Sequence, residues 1–211
     1  MSHRFFVTGT DTGIGKTVLS VLLCAAFDAI YWKPIQTGAL EGTDRETVMR
    51  LVGMGPERTL PEVYSFAPPV SPHLAAARAN TRIDLDRICL PAALGRESIV
   101  VEGAGGVLVP VNESQLMLDL MVKLKLPVIL AARSSLGTIN HTLLSLAALR
   151  SANVPLCGVV MIGEPNKENR EAIERYGCVR VIGEIPPLAQ IGRSALLRVF
   201  ESHFDRAAFC P

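Results

Sequence analysis

Short apolar runs recur along the chain at 4–8, 30–33, 98–102, 127–132, 156–162 and 179–182, and most are followed by a stretch of helical periodicity. Each run is too short for a core helix and is bounded by turn residues, so each predicts a buried strand. Segments 16–27, 44–52, 114–124, 137–151, 166–176 and 194–207 predict helices. In the last, Leu196, Phe200 and Phe204 share one face while Arg198, Glu201, Asp205 and Arg206 mix both charges on the other. That pattern predicts a helix packed on the core rather than a basic membrane anchor. Strands alternating with helices imply crossover connections, hence an α/β fold with a mostly parallel sheet and helices on both faces. Ligands of such sheets gather outside the carboxyl ends of the strands, so the residues just after each strand are the candidates for chemistry.

After the first strand comes Gly9-Thr10-Asp11-Thr12-Gly13-Ile14-Gly15-Lys16-Thr17, which leads into Val18-Leu19-Ser20-Val21-Leu22-Leu23. A phosphate chain needs N–H donors that approach closely without side chains in the way. Glycines and the free N–H groups of a new helix supply them, and the helix dipole favours the anion. Lys16 would reach the β/γ-phosphates and the Thr17 hydroxyl would ligate Mg²⁺. The five residues between Gly9 and Gly15 are one more than the general loop carries, with Thr10 standing where its first glycine would be. The strand before and the helix after nonetheless predict a P-loop NTPase-type three-layer fold with a nucleoside triphosphate site.

Other strand ends carry further candidates. Lys33-Pro34-Ile35-Gln36-Thr37-Gly38 follows the second strand. Lys33 reads either as a solvated strand end or as a fixed cation for a phosphoryl or carbamoyl group in transfer; Thr37 could add a hydroxyl donor. Asp44, at the start of its helix, reads equally as an N-cap and as a metal ligand. Glu102, closing Ile99-Val100-Val101 and opening Glu102-Gly103-Ala104-Gly105-Gly106, is a carboxylate at the end of a buried strand, costly unless paired or bound to a cation. Magnesium on a triphosphate takes only one or two carboxylates, a set that Thr17, Asp44 and Glu102 would supply. The glycines after Glu102 allow close backbone approach, as a second cradle. At 131–141 another helix starts behind a strand, and its N–H groups could bind a carboxylate. His141 there reads as an ordinary helix histidine. Ser71-Pro72-His73 reads as a turn and helix start, with no role for His73.

Composition narrows the partners. The chain's 211 residues show no linker-like stretch, so residues 1–211 are expected to form one domain. The net charge of +1, with acids and bases interspersed, argues against nucleic acid or an anionic membrane as partner and fits a small anionic ligand. Cys24, Cys89, Cys157, Cys178 and Cys210 are odd in number and nowhere in a Cys-x-x-Cys pattern. They read as buried free thiols of a reducing compartment. Residues 1–4 enter the first strand at once, without room for a signal segment, and no apolar run approaches the ~20 residues of a membrane span. A cytoplasmic protein is expected.

Gly9-Thr10-Asp11-Thr12, Gly15-Lys16-Thr17, Lys33-Pro34, Thr37-Gly38, Ser71-Pro72-His73, Glu102-Gly103-Ala104-Gly105-Gly106, Leu136-Gly137-Thr138-Ile139-Asn140-His141 and Gly183-Glu184-Ile185-Pro186 occur in order from the first strand to about residue 190. Together they resemble the dethiobiotin synthetase family of the biotin pathway, including its longer phosphate loop. The resemblance implies an ATP-dependent cyclo-ligase: 7,8-diaminononanoate and CO₂ give a carbamate, ATP phosphorylates it, and the neighbouring amine displaces phosphate to close the ureido ring of dethiobiotin. It implies a nucleotide site from the backbone of Gly13, Ile14, Gly15 and Val18 with Lys16 and Thr17, from Glu102, Gly103, Ala104 and Gly105, and from Ile162, Gly163, Pro186, Pro187 and Leu188 around the base. Mg²⁺ would lie on Thr17, Asp44 and Glu102. Lys33 and Lys16 would be catalytic, and Thr12 and Thr37 would touch the diamine. A homodimer is implied too, with Gly137, Thr138 and Asn140 receiving the substrate carboxylate across the interface.

The chain departs from the family at Ile162, where an asparagine often reads the adenine; weaker discrimination among nucleotides is the expectation. The first helix and its return, 16–33, are shorter than common. Two other classes compete. A switch or partitioning ATPase of the same fold commonly has a second lysine in the loop, where this chain has Asp11. An amidotransferase-type synthetase would usually need an additional glutaminase domain, for which the chain has no room.

Overall fold

The computed structural model describes residues 2–209, so Cys210 lies outside the described residues. Along the chain run β1 (Arg4–Gly9), α1 (Lys16–Phe27), β2 (Ile30–Trp32), β3 (Ile35–Thr37), α2 (Asp44–Val52), β4 (Thr59–Leu60), β5 (Tyr64–Phe66), α3 (Pro72–Arg78) and β6 (Ile99–Gly106). Then follow α4 (Met117–Leu124), β7 (Val128–Arg133), α5 (Thr138–Ser151), β8 (Leu156–Ile162), α6 (Lys167–Gly177), β9 (Val181–Ile185) and α7 (Arg193–His203). Seven strands make one sheet in the order β4-β2-β6-β1-β7-β8-β9, with every strand pair parallel.

Alternation along β1 divides the apolar residues between two layers. Phe5 and Val7 face α1, α2 and α7, where Leu19, Leu22, Val48, Leu196 and Phe200 complete one core. Phe6 faces the other way, toward Ala75 of α3, Leu120 of α4, Leu146 of α5 and Ile173 of α6. The α/β fold with helices on both faces is therefore as the apolar pattern predicts. The chain leaves β1 for β2, two places away, and β6 later fills the gap. The loop after β1 thus hangs over the middle of the sheet, flanked by the ends of β2 and β6.

Several boundaries differ from expectation. Glu102 does not end its strand, because β6 continues to Gly106, which pairs with Gly9 across a register irregularity in β1. A Cβ on Gly106 would lie 3.3 Å from the Gly9 carbonyl oxygen, so the two backbones meet where a side chain would not fit. Asp44 is not the N-cap of α2. Thr43 is, with Thr43 and Glu46 exchanging side-chain bonds to each other's backbone N–H at 3.1 and 2.8 Å. The fourth helix starts at Met117 rather than 114, because the Asn112 side-chain Oδ1 captures the N–H groups of Ser114 and Gln115 at 3.0 and 2.9 Å in a turn. The last helix stops at His203; Phe204 turns extended and bridges Gly183, its ring filling the space a side chain there would take.

The small parallel pair β3–β5, in register Ile35↔Tyr64 and Thr37↔Phe66, was not anticipated. Neither was the exposure of Cys89 and Cys178; of the described cysteines, all free, only Cys24 is buried. Cys178 caps α6 in a left-handed conformation, which turns it outward. Among the described residues no helix is long and apolar enough to cross a membrane.

Candidate active site

The phosphate loop spans the gap between β1 and α1 with Gly13 at φ 72° and Gly15 at φ 101°, a left-handed backbone that glycine tolerates without strain. Gly15 is doubly constrained, since a Cβ there would come within 3.1 Å of the Ile162 side chain. Lys16 folds back over the loop, and its Nζ donates to the Asp11 carbonyl at 2.9 Å. The Asp11 carboxylate accepts from the Thr12 N–H at 2.7 Å and pairs with Arg133, at the end of β7, at 3.2 Å. Burial, reinforced by the nearby Lys33, outweighs the surrounding carboxylates and brings the Lys16 ammonium below the usual lysine range.

Thr17, one residue into α1, is where the candidates converge. Its Oγ1 lies 2.8 Å from Asp44 Oδ1 and 3.0 Å from Glu102 Oε1. Lys33 Nζ donates to both carboxylates, to Asp44 Oδ2 and, at 3.3 Å, to Glu102 Oε1. Freed from capping by Thr43, Asp44 turns its carboxylate inward, and its N–H donates to the side-chain Oε1 of Gln36 at 3.3 Å. Burial opposes charge on Lys33, yet Glu102 and Asp44 outweigh it and hold the ammonium above the usual lysine range. Burial likewise opposes charge on Asp44, and Lys33 overcomes it, holding the carboxyl below the usual range. Lys33 is buried and ion-paired, so it is not the solvated strand end that was one of its two readings.

A cavity of about 600 Å³ opens over this cluster. Thr12, Gly13, Gly15, Lys16, Thr17, Val18, Lys33, Thr37, Asp44, Glu102, Ala104 and Gly105 line it, as do Pro69–Pro72 and Val109, to which no role was assigned. Other candidates lie elsewhere. Ile14 is buried against Gly9, and the position a Cβ would take on Gly103 points at Phe6 and Met117 in the core. Ile162 lies behind Gly15, and Gly163 binds the Ile185 carbonyl through its N–H at 3.0 Å. Pro186, Pro187 and Leu188 follow β9 and do not line the cavity. Gly137, Thr138 and Asn140 at the start of α5 do not line it either; Thr138 is buried and Asn140 exposed.

Two residues not anticipated complete the cluster. Ser20 Oγ and Tyr31 OH donate to Glu102 Oε2 at 2.8 and 3.1 Å. Both sit in apolar runs that read as plain core, although Ser20 lies three residues after Thr17 and so shares its helix face.

A phosphate loop leaving the central strand of a parallel sheet, with lysines and carboxylates gathered at the strand ends, defines a P-loop nucleoside triphosphatase fold. Solved structures agree. A ParA family ATPase from Chlorobium tepidum TLS matches with a TM-score of 0.58 over 95% of this chain and 93% of that one, at 13% identity. A nucleotide-binding protein in complex with ADP from Archaeoglobus fulgidus matches with a TM-score of 0.53 over 94% and 85%, also at 13% identity. At such identity the likeness bears on the fold alone.

The family model described as an AAA domain matches residues 3–195. Curated relatives are much nearer in sequence. The ATP-dependent dethiobiotin synthetase BioD of Agrobacterium fabrum is 48% identical over 99% of this chain and 98% of its own length. That of Paramagnetospirillum magneticum is 53% identical over 88% and 89%. The chain belongs to the family of ATP-dependent dethiobiotin synthetases.

Proposed function

We propose that this protein converts 7,8-diaminononanoate, CO₂ and ATP into dethiobiotin, ADP and phosphate, acting as one domain in a cytoplasmic homodimer. The observation that carries the reading is the meeting of Thr17 and Asp44 with the buried Lys33 and Glu102 beside the phosphate loop, in a chain of this family. An amine and CO₂ combine to a carbamate whose oxygen is a poor nucleophile toward a triphosphate. Lys33 and Lys16 offset the negative charge gathering between the two reactants, and the fixed loop holds them in line. Thr12 and Thr37 line the cavity, which supports their reading as contacts to the diamine.

The donor set fits Mg²⁺. Among the described residues no group of three or more His, Cys, Asp or Glu could hold a metal alone, which suits an ion that draws much of its shell from phosphate oxygens and water. Thr17, Asp44 and Glu102 would hold it, and it would supply charge neutralisation on the transferring phosphoryl group. Base recognition falls to the backbone of 186–188 beside aliphatic Ile162, which supports modest selectivity among nucleotides. The homodimer is supported by Leu108, Leu136 and Leu144, exposed at 55%, 96% and 62%, on the side where α5 begins. Gly137, Thr138 and Asn140 there would serve the partner's substrate carboxylate.

The test is phosphate release with bicarbonate and each of MgATP, MgGTP and MgCTP, with and without the diamine, while dethiobiotin is followed by mass. Diamine-dependent release matched one for one by dethiobiotin is expected, with ATP preferred by less than about a hundredfold. Slow hydrolysis indifferent to the diamine would overturn the assignment in favour of a switch ATPase.

A further inference from the structure

Glu102 is a carboxylate 1% exposed in the middle of a strand, and its two oxygens have different company. Oε1 faces the cavity side, where Thr17 and Lys33 donate to it. Oε2 faces inward, and among the described residues only Ser20 Oγ and Tyr31 OH, both fully buried, donate to it. The backbone makes this arrangement obligatory. Tyr31 pairs with Val100 across β2 and β6, so its side chain leaves the sheet on the same face as Val100 and Glu102. Ser20, three residues beyond Thr17 on α1, points to that face from above. Oε2 therefore has two donors that belong to the core, whereas both donors to Oε1 line the cavity.

We propose that Ser20 and Tyr31 are positioning residues for the divalent cation: by occupying Oε2 they orient Glu102 so that Oε1 alone is presented to the metal. The inference rests on Glu102 being a metal ligand, as read above. Outer partners that orient a ligating carboxylate commonly tune metal affinity by about ten- to a hundredfold. Neither hydroxyl lines the cavity, so neither reaches the phosphates or the diamine.

The experiment uses Mn²⁺ as probe, titrated into the protein–ADP complex and followed by the electron paramagnetic resonance signal of free Mn²⁺. Tyr31→Phe and Ser20→Ala are each expected to weaken Mn²⁺ binding by about tenfold or more. ADP affinity in the absence of metal and KM for the diamine should stay within about twofold of the unmodified protein, which general loosening of the fold would not allow. Mn²⁺ affinities within about twofold of the unmodified protein in either folded variant overturn the proposal for that residue. The variants are independent tests, since Ser20→Ala puts the best helix former into α1 even if Tyr31→Phe fails to fold. An unmodified protein whose ADP complex takes up no Mn²⁺ overturns the metal reading itself, an outcome distinct from unchanged variants.

Discussion

At the scale of single residues, Lys33 shows how burial and pairing compete. An ammonium taken out of water is costly, and two carboxylates within bonding distance are what keep it charged. Its reach to Asp44 and Glu102 also predicts that a cation bound at those carboxylates would compete with Lys33 for them. Lys33→Gln keeps a donor of similar length but removes the charge. It is expected to leave ATP affinity within a few-fold while lowering dethiobiotin turnover by on the order of 10²–10³. Calorimetric ATP binding beside single-turnover rates separates the two effects, and full turnover in the variant would remove Lys33 from the chemistry. Lys33, Thr17 and Asp44 were singled out in the sequence because they follow a strand or open a helix, and Glu102 because it interrupts an apolar strand with a charge. Ser20 and Tyr31 were not, since a hydroxyl inside an apolar run has no outward sign of the carboxylate it serves.

At the scale of elements, α1, α2 and β8 have the bounds the apolar pattern predicts, because glycine or a capping residue marks their ends. The short strands β3 and β5 escaped, being three residues each, less than one full alternation can reveal. The continuation of β6 through its glycines escaped for a different reason. Glycine ordinarily signals a turn, and here it answers to the close passage of β1, a long-range fact. The cap of α2 has a mechanical bearing on the site, since it decides which way Asp44 faces. Thr43→Ala is expected to cost about 1 kcal/mol, lowering Tm by roughly 2–4 °C in a chain of this size. Thermal unfolding followed by circular dichroism checks this, and an unchanged Tm would show that the capping box contributes nothing.

At the scale of the whole molecule, the parallel sheet follows from alternation alone, but the strand order does not. That β6 inserts between β2 and β1 is what carries Glu102 to Thr17, and only tertiary packing expresses it. The proposed homodimer likewise rests on resemblance at the level of sequence, because exposed leucines look like ordinary surface until they are seen together. Leu136→Asp combined with Leu144→Asp is expected to shift the protein to monomer in sedimentation velocity. Dethiobiotin formation should fall with it while ATP binding persists. A variant that still sediments as a dimer would place the interface elsewhere.

The ring of Lys16, Lys33, Asp44 and Glu102 carries as many positive as negative groups. It is self-compensated before any ligand arrives. A pocket of bare ammonium groups would strain against its own repulsion and gather polyanions indiscriminately. Here each cation already has a resting partner: Lys16 has the Asp11 carbonyl and Lys33 the two carboxylates. A ligand entering this site is therefore expected to exchange companions already in place rather than to fill an uncompensated field.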